Sequence, residues 1–91
     1  MKKILVVCSN GLGSSLMLKS AIQRACDEQG IEAEVEHCDL GSAHSMAHGR
    51  DLIVTSEALA DELEGLEVPV VTIVNFTSQE EIKEKVLSKL Q

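Results

Sequence analysis

The stretch Val6–Ser15, VVCSNGLGSS, determines how the rest of this chain is arranged. It follows the start of an apolar run, passes through Cys8 into a segment of glycines and small polar residues, and leads into a helical pattern. We interpret it as a strand, a tight loop and a helix N-terminus. Backbone N–H groups in such a loop, together with the helix dipole, can hold a phosphate-sized anion. The same field favours a thiolate over a thiol at Cys8.

Length and composition predict a single domain, residues 1–91, with one hydrophobic core. A net charge of −7 argues against nucleic-acid binding, which needs clustered Lys and Arg. No apolar run approaches the ~20 residues of a membrane-spanning helix. The apolar stretch near the N-terminus is too short for a secretory signal. We therefore expect a cytoplasmic protein that does not insert directly into a membrane.

Hydrophobic periodicity predicts alternating strands and helices. The expected strands are Ile4–Val7, Ile31–Cys38, Asp51–Thr55 and Val70–Val74. The expected helices begin at Ser14 or Ser15, at Ser56, and at Ser78, and they end near Gln29, Glu64 and Leu90. In the last of them, Ser78 and Glu81 have the spacing of a capping box. The polar, glycine-containing segment Asp39–Arg50 is predicted to be a loop that has room for one helical turn.

This pattern predicts an α/β fold, a three-layer sandwich around a four-stranded parallel sheet. The favoured strand order is 2-1-3-4, which makes the fold Rossmann-like with a phosphatase-like Cys loop after the first strand. Ligands bind such sheets at the carboxyl ends of the strands. Four segments should converge there: the Cys8 loop, Asp39–Ser45, Thr55–Ser56 and Asn75–Thr77.

The glycines after Cys8 allow other interpretations, which the neighbouring residues weaken. The dinucleotide fingerprint G-x-G-x-x-G would need glycine at position 16, which is Leu16. The phosphatase pattern Cys-x5-Arg would need arginine at position 14, which is Ser14. The only proline, Pro69, follows Val68, so no Asp-Pro pair is present to supply a general acid. The loop therefore favours phosphoryl transfer over hydrolysis.

With these residues in place, the chain resembles the enzyme IIB (EIIB) components of the bacterial phosphoenolpyruvate-dependent sugar phosphotransferase system (PTS). The similarity is carried by Lys3–Ser15, KILVVCSNGLGSS, and is greatest to the ascorbate and galactitol group. The segment GLGSS is most similar to the ascorbate type, although Ser9 stands where many ascorbate-type members have glycine. The resemblance implies that the loop cysteine takes phosphate from a histidine of EIIA. The cysteine then passes the phosphate to a sugar bound by the membrane component EIIC. The resemblance thus implies a cytoplasmic protein that associates peripherally with the membrane transporter.

The resemblance and the loop chemistry together assign candidate roles. Cys8 is the expected nucleophile. The phosphate-binding loop is expected to comprise Ser9, Asn10, Gly11, Leu12, Gly13, Ser14 and Ser15. Leu12, at the tip of the loop, and Leu16, off the apolar stripe of the first helix, are expected to be exposed and are candidate partner contacts. Neither a metal nor another cofactor is required when the donor is a phosphohistidine.

Two further hypotheses involve the other cysteines and histidines. Cys26 lies on the apolar stripe of the first helix and is expected in the core. Cys8 and Cys38 end neighbouring strands, so a reversible disulfide would make a redox module. A zinc site formed by His37, Cys38, His44 and His48 is a further alternative, since His44 and His48 have a spacing that suits a helix. A small cysteine-dependent phosphatase or an arsenate-reductase-like protein is the remaining enzymatic alternative.

Overall fold

The computed structural model describes residues 1–8, 13–63, 65–75 and 78–90. Its strands are β1 (Lys2–Cys8), β2 (Ala33–Asp39), β3 (Leu52–Ser56) and β4 (Val70–Ile73). Its longer helices are α1 (Gly13–Glu28) and α2 (Leu40–Met46), and a 3-10 helix spans Glu57–Leu63. The C-terminal helix, residues 79–90, consists of α3 (Gln79–Ile82), a π-helical segment (Lys83–Leu87) and α4 (Ser88–Leu90).

The four strands form one parallel sheet in the order β2-β1-β3-β4, as predicted. Strand β1 is central because its run Ile4–Val7 is fully buried on both faces. Strand β2 lies at the edge of the sheet and is only half buried, with Glu34 exposed. This agrees with its alternating sequence, since charged side chains protect sheet edges from further pairing.

Alternation along β1 divides the core into two clusters, one on each face of the sheet. Ile4, Val6 and Cys8 face α1 and the C-terminal helix. Leu5 and Val7 face α2 and the 3-10 helix. The apolar stripe predicted for α1 is confirmed, because the following residues are buried or half-buried against the first cluster: Leu18, Ala21, Ile22, Ala25 and Cys26.

Helix α2 replaces the loop that the sequence predicts between Asp39 and Arg50. The Asp39 carboxylate accepts a hydrogen bond from the Ser42 N–H at 2.9 Å and thereby caps the helix. Ala43 in this helix and Ala47 at its C-cap lie four residues apart on one face, and both are buried in the second cluster. The prediction gave too much weight to the low helix propensity of Gly41 and the serines, which capping and packing outweigh.

The segment after β3 is a 3-10 helix, where the sequence predicts an α-helix capped by Ser56. Ser56 is instead the last residue of β3. Leu63 is buried and Leu59 is half-buried in the second cluster, so the apolar side chains of this segment pack against the sheet. A 3-10 helix rises ~2.0 Å per residue against ~1.5 Å for an α-helix, so this short segment covers more of the sheet.

The start of the C-terminal helix confirms half of the predicted capping box. Ser78 Oγ accepts a hydrogen bond from the Glu81 N–H at 3.2 Å. The Glu81 carboxylate, however, accepts from the N–H groups of Val74 and Asn75, at 2.8 and 2.9 Å. The Ser78 N–H donates instead to the Asn75 carbonyl at 3.0 Å, so the Glu81 carboxylate ties the end of β4 to the helix.

Candidate functional site

The carboxyl ends of the strands bring together the described parts of the segments that the sequence predicts to converge. Cys8 pairs with Asp39 across β1 and β2, and Val7 pairs with Thr55 across β1 and β3. Ser56 pairs in turn with Ile73 near the end of β4. We call this end of the sheet, with the residues that follow each strand, the carboxyl edge. Cys8 therefore lies at its centre.

Cys8 is held in place by the core on one side and leads into α1 on the other. Its side chain is 5% exposed and belongs to the cluster that contains Val6 and Leu18. Four residues, 9–12, separate it from the first residue of α1. This short connection keeps the start of α1 at the same edge of the sheet as the thiol.

The N-terminus of α1 is suited to an anion. The helix has 16 residues, and its first turn contains no acidic side chain. The first N–H groups of an α-helix lack intrahelical acceptors and carry partial positive charge. Helix α1 begins at Gly13, one or two residues before the predicted start at Ser14 or Ser15, so both serines lie within its first turn.

Part of the predicted phosphate-binding loop lies outside the described residues. This applies to Ser9, Asn10, Gly11 and Leu12. Gly13, Ser14 and Ser15 are described only as backbone, at the start of α1. The assignment of these residues to phosphate binding therefore stays a prediction.

The sequence around the ends of the four strands supplies no cationic side chains. The stretches that end or directly follow these strands, residues 8–16, 39–45, 55–60 and 74–79, contain no Lys or Arg. A phosphoryl group there would be stabilised by N–H groups and the helix dipole. The bidentate arginine clamp that a cysteine phosphatase uses has no counterpart in these segments.

The other two cysteines have environments that suppress their reactivity. Burial raises the pKa of the Cys26 thiol, and the charge of Asp27 raises it further. Burial also raises the pKa of Cys38, and the Asp39 charge adds to the increase. Both residues are therefore expected to remain thiols at neutral pH, and a thiol is a far weaker nucleophile than a thiolate.

The structure argues against a disulfide between Cys8 and Cys38. Cys8 packs in the cluster that faces α1, whereas Cys38 packs with Val7 on the α2 side of the sheet. In the parallel register Cys38 pairs with Val7 and not with Cys8. Side chains on opposite faces of a sheet point apart, so a disulfide would require backbone movement. The placement of the two cysteines therefore argues against the alternative of a Cys8–Cys38 redox module.

The zinc hypothesis also finds no support. Helix α2 ends at Met46, so His48 lies beyond it and does not share a helical face with His44. His37 and Cys38 point to opposite faces of β2. Within the described ranges, no group of three or more His, Cys, Asp or Glu residues is arranged to hold a metal ion.

Thr55 makes a side-chain hydrogen bond that the sequence did not predict. Its side chain is fully buried, and its Oγ1 donates a hydrogen bond to the carbonyl oxygen of Val7 at 2.7 Å. That carbonyl belongs to the peptide bond preceding Cys8. The two residues are 48 positions apart, so only the register of β1 and β3 could have shown this contact.

A second unpredicted contact is centred on Glu81. Besides the two N–H groups after β4, its carboxylate accepts a hydrogen bond from Lys85 Nζ at 2.7 Å. The hydrogen bonds from Lys85, Val74 and Asn75 lower the pKa of Glu81 to about 2. Lys85 Nζ also donates to the Thr72 carbonyl at 3.1 Å, which joins the helix to the edge strand β4.

Exposed apolar side chains flank the carboxyl edge. Leu16 is 47% exposed, which agrees with its predicted position off the apolar stripe of α1. Met17 and Val74, which the sequence did not single out, are 54% and 68% exposed. We call Leu16, Met17 and Val74 the apolar rim. Leu12, the other leucine predicted to be exposed, lies outside the described residues.

No helix in the described part of the chain is long and apolar enough to cross a membrane.

Comparison with known proteins identifies relatives of this fold and sequence. The chain is 32% identical over 88 residues to an ascorbate-specific PTS system EIIB component of Mycoplasma pneumoniae, spanning 96% of this chain and 92% of that protein. It is 34% identical over 61 residues to the ascorbate-specific EIIB component of Escherichia coli O157:H7, spanning 67% of this chain and 60% of the relative.

A solved structure has the same fold at lower sequence identity. The lactose-specific IIB component domain of the PTS from Streptococcus pneumoniae superimposes with a TM-score of 0.73 at 19% identity. The superposition covers 99% of this chain and 98% of that domain. The family model "PTS system, Lactose/Cellobiose specific IIB subunit" matches residues 3–88. The chain therefore belongs to the PTS IIB family of sugar phosphotransferase components.

Proposed function

We propose that Cys8 carries the phosphoryl group in this PTS IIB component. The observation that carries this proposal is the position of Cys8 at the end of the central strand, four residues before the N-terminus of α1. In the first step the Cys8 thiolate attacks a phosphohistidine of EIIA. The P–N bond breaks, an S–P bond forms, and the released imidazole takes up a proton.

The second step passes the phosphoryl group to the sugar held by EIIC. A sugar hydroxyl oxygen attacks phosphorus, the S–P bond breaks, and Cys8 leaves as a thiolate. Thiolate is a good leaving group, so this step needs no protonation of sulfur. The hydroxyl proton is lost to groups around the sugar in EIIC or to water. Neither step requires a metal or another cofactor on this chain.

Amide groups supply the charge stabilisation in this proposal. The loop N–H groups, from about Asn10 to Ser15, bind the oxygens of the transferring group. The hydroxyls of Ser9, Ser14 and Ser15 add hydrogen bonds, and Gly11 and Gly13 allow the backbone to approach closely. Transfer is favoured over hydrolysis because the edge segments lack an arginine clamp and the sequence lacks the Asp-Pro general acid of a phosphatase.

We assign the apolar rim, with Leu12, to contact with the protein partners. EIIA must bring its phosphohistidine to the carboxyl edge, and EIIC must later occupy the same position. Large apolar side chains around a reactive group are a common means of protein recognition. In this proposal residues 1–91 act as one cytoplasmic domain that associates peripherally with the membrane transporter.

Ascorbate is the favoured substrate of the complete transport system. Support comes from two relatives named as ascorbate-specific components and from the GLGSS segment of the loop. The family model and the solved structure carry lactose and cellobiose in their names, so both must be tested as substrates. EIIC binds the sugar, and this chain contacts only its reactive hydroxyl.

Onward transfer distinguishes this function from phosphatase activity. The protein is phosphorylated with phosphoenolpyruvate, enzyme I, HPr and EIIA, and then mixed with membranes containing the cognate EIIC. Candidate sugars are ascorbate, galactitol, lactose and cellobiose. Formation of one sugar phosphate, lost in Cys8→Ser, is the expected result. Rapid release of inorganic phosphate, or turnover of an aryl phosphate, would instead favour a cysteine phosphatase.

A further inference from the structure

The end of β1 is anchored to β3 by a side chain. The β1–β3 pairing ends at Val7 and Thr55, one residue before Cys8. At this last pair the Thr55 hydroxyl donates to the Val7 carbonyl at 2.7 Å, in the fully buried interior. On the other side of β1 the pairing with β2 continues through Cys8 and Asp39. The peptide that carries the Cys8 nitrogen is thus held from both neighbouring strands.

The hydroxyl of Thr55 is unusual for its position. Among the described residues, Thr55 is the one polar residue that is buried, and valine would fill nearly the same volume. A buried hydroxyl is costly unless it is hydrogen-bonded, so packing alone does not account for threonine at this position. Because Val7 and Thr55 share a face of the sheet and Cys8 points to the other, Thr55 acts on Cys8 only through the intervening peptide.

We propose that Thr55 is a positioning residue for phosphoryl transfer at Cys8, acting through its hydrogen bond to the Val7 carbonyl. This inference rests on the proposed function. The bond fixes the plane of the Val7–Cys8 peptide and hence the direction in which the Cys8 side chain leaves the strand. It also engages a carbonyl oxygen whose partial negative charge would otherwise disfavour a thiolate or a phosphoryl group nearby.

A comparison of four side chains at position 55 separates the effect of the hydroxyl from the effect of the methyl group. Wild-type threonine and Thr55→Ser have the hydroxyl, whereas Thr55→Val and Thr55→Ala lack it. Thr55→Ser and Thr55→Ala both lack the γ-methyl group of threonine, so they form a matched pair even if Thr55→Val fails to fold. Ile82→Val, a buried change in the C-terminal helix, serves as a control for loss of core packing.

The first readout needs no phosphoryl donor. The rate of Cys8 alkylation by iodoacetamide is measured against pH, with Cys8 distinguished from Cys26 and Cys38 by peptide mass spectrometry. We expect the midpoint to rise by roughly half a pH unit in Thr55→Val and Thr55→Ala. Thr55→Ser and Ile82→Val should retain the wild-type midpoint. The proposal would be overturned if the midpoint were the same in all variants. It would also be overturned if the midpoint changed in step with the free energy of unfolding and not with the presence of the hydroxyl.

The second readout is the rate constant for phosphorylation by EIIA. Loss of the hydroxyl should lower it roughly fivefold, about the effect of one neutral hydrogen bond, with recovery in Thr55→Ser. Absence of phosphorylation in the wild type would refute the proposed function, while the alkylation profiles would still decide whether Thr55 positions Cys8. Equal rates in Thr55→Ser and Thr55→Ala would contradict the role of the hydroxyl.

Discussion

The three cysteines show how position determines the chemistry of one side chain. Cys26 and Cys38 lie in the core, where burial and a neighbouring aspartate raise the pKa of each thiol. Cys8 is also packed against the core, but it ends the central strand and precedes the N-terminus of α1. The helix dipole and the first-turn N–H groups favour negative charge there. We therefore propose that Cys8 is the reactive thiol of the three.

Glu81 provides a prediction at the same scale, on the pH dependence of stability. Its pKa, about 2 in the folded protein, lies below the ordinary value of a glutamate, so folding favours the ionised form. This contribution is fully present above about pH 5 and is lost as the pH falls toward 2. Glu81→Gln should lower the free energy of unfolding at pH 7, and its difference from wild type should shrink in acid. Urea denaturation of the two proteins between pH 7 and about pH 2 measures the loss at neutral pH and its decrease in acid.

Glu28→Gln is the comparison for Glu81. Glu28 accepts a hydrogen bond from Lys83 at 2.9 Å, and this contact lowers its pKa, but its side chain is 47% exposed. Exposed ion pairs contribute little to stability, so this substitution should have the smaller effect. Equal losses in the two variants at pH 7 would show that the N–H groups of Val74 and Asn75 add nothing.

Candidate residues could be proposed from the sequence where the signal is local. Cys8 was proposed as the nucleophile because the apolar run, the thiol and the glycines are adjacent, and this role stays a prediction. The Thr55 hydroxyl and the full set of Glu81 partners were not identified, since each contact joins separate elements. The capping spacing of Ser78 and Glu81 indicated a carboxylate near the helix start, but it did not show that Val74 and Asn75 would be nearer to it.

At the scale of elements, helix ends show the balance between local propensity and packing. Helix α1 ends at a Schellman motif, with hydrogen bonds from Ile31 N–H to Cys26 C=O at 2.9 Å and from Gly30 N–H to Asp27 C=O at 3.2 Å. Gly30 has a φ of 71°, a left-handed conformation that glycine adopts readily. The sequence predicted this end correctly because Gly30 comes four residues after Cys26, the last position of the apolar stripe.

Two glycine substitutions should therefore have opposite effects. Gly30→Ala places a Cβ in the left-handed region and should destabilise the protein by about 1 kcal/mol. Gly41→Ala lies inside α2, where the added Cβ would meet only Asp39 Oδ1 at 3.5 Å. It should stabilise the protein by about 0.5 kcal/mol, because alanine has the higher helix propensity. Thermal and urea denaturation measure both, and the same sign for the two variants would contradict this account.

The elements that sequence patterns predicted less well are the short ones. Helix α2 has seven residues, including Gly41 and two serines, so its intrinsic propensity is low. It forms because Asp39 caps it and because Ala43 is buried against the sheet. Neither the packing of Ala43 nor the 3-10 winding of Glu57–Leu63 can be read from local sequence, since both depend on the sheet beneath.

For the whole molecule, the parallel topology brings the candidate site residues at the ends of the strands to one edge of the sheet. The order β2-β1-β3-β4 puts Cys8 in the middle of the carboxyl edge, with Asp39 on one side and Thr55 on the other. This arrangement was predictable because the alternation of strands and helices restricts the topology. The apolar rim was predicted only at Leu16, since Met17 and Val74 become rim residues through the way α1 and β4 meet that edge.

The apolar rim provides the prediction at this scale. Leu16→Ser removes an exposed side chain, so the free energy of unfolding should change by less than about 0.5 kcal/mol. The apparent second-order rate constant for phosphorylation by EIIA should fall roughly fivefold if Leu16 contacts the donor. Lys89→Ser, at the far end of the C-terminal helix, is the control and should leave this constant unchanged. An unchanged constant in Leu16→Ser would exclude Leu16 from the contact.

The most direct test of the central claim locates the phosphoryl group on the chain. The protein is incubated with phosphoenolpyruvate, enzyme I, HPr and EIIA, digested at neutral pH, and mapped by peptide mass spectrometry. The account predicts one phosphate, on the peptide containing Cys8, and none on those containing Cys26 or Cys38. Cys8→Ser should remain folded and acquire no phosphate. Phosphate on another residue, or its persistence in Cys8→Ser, would contradict the account.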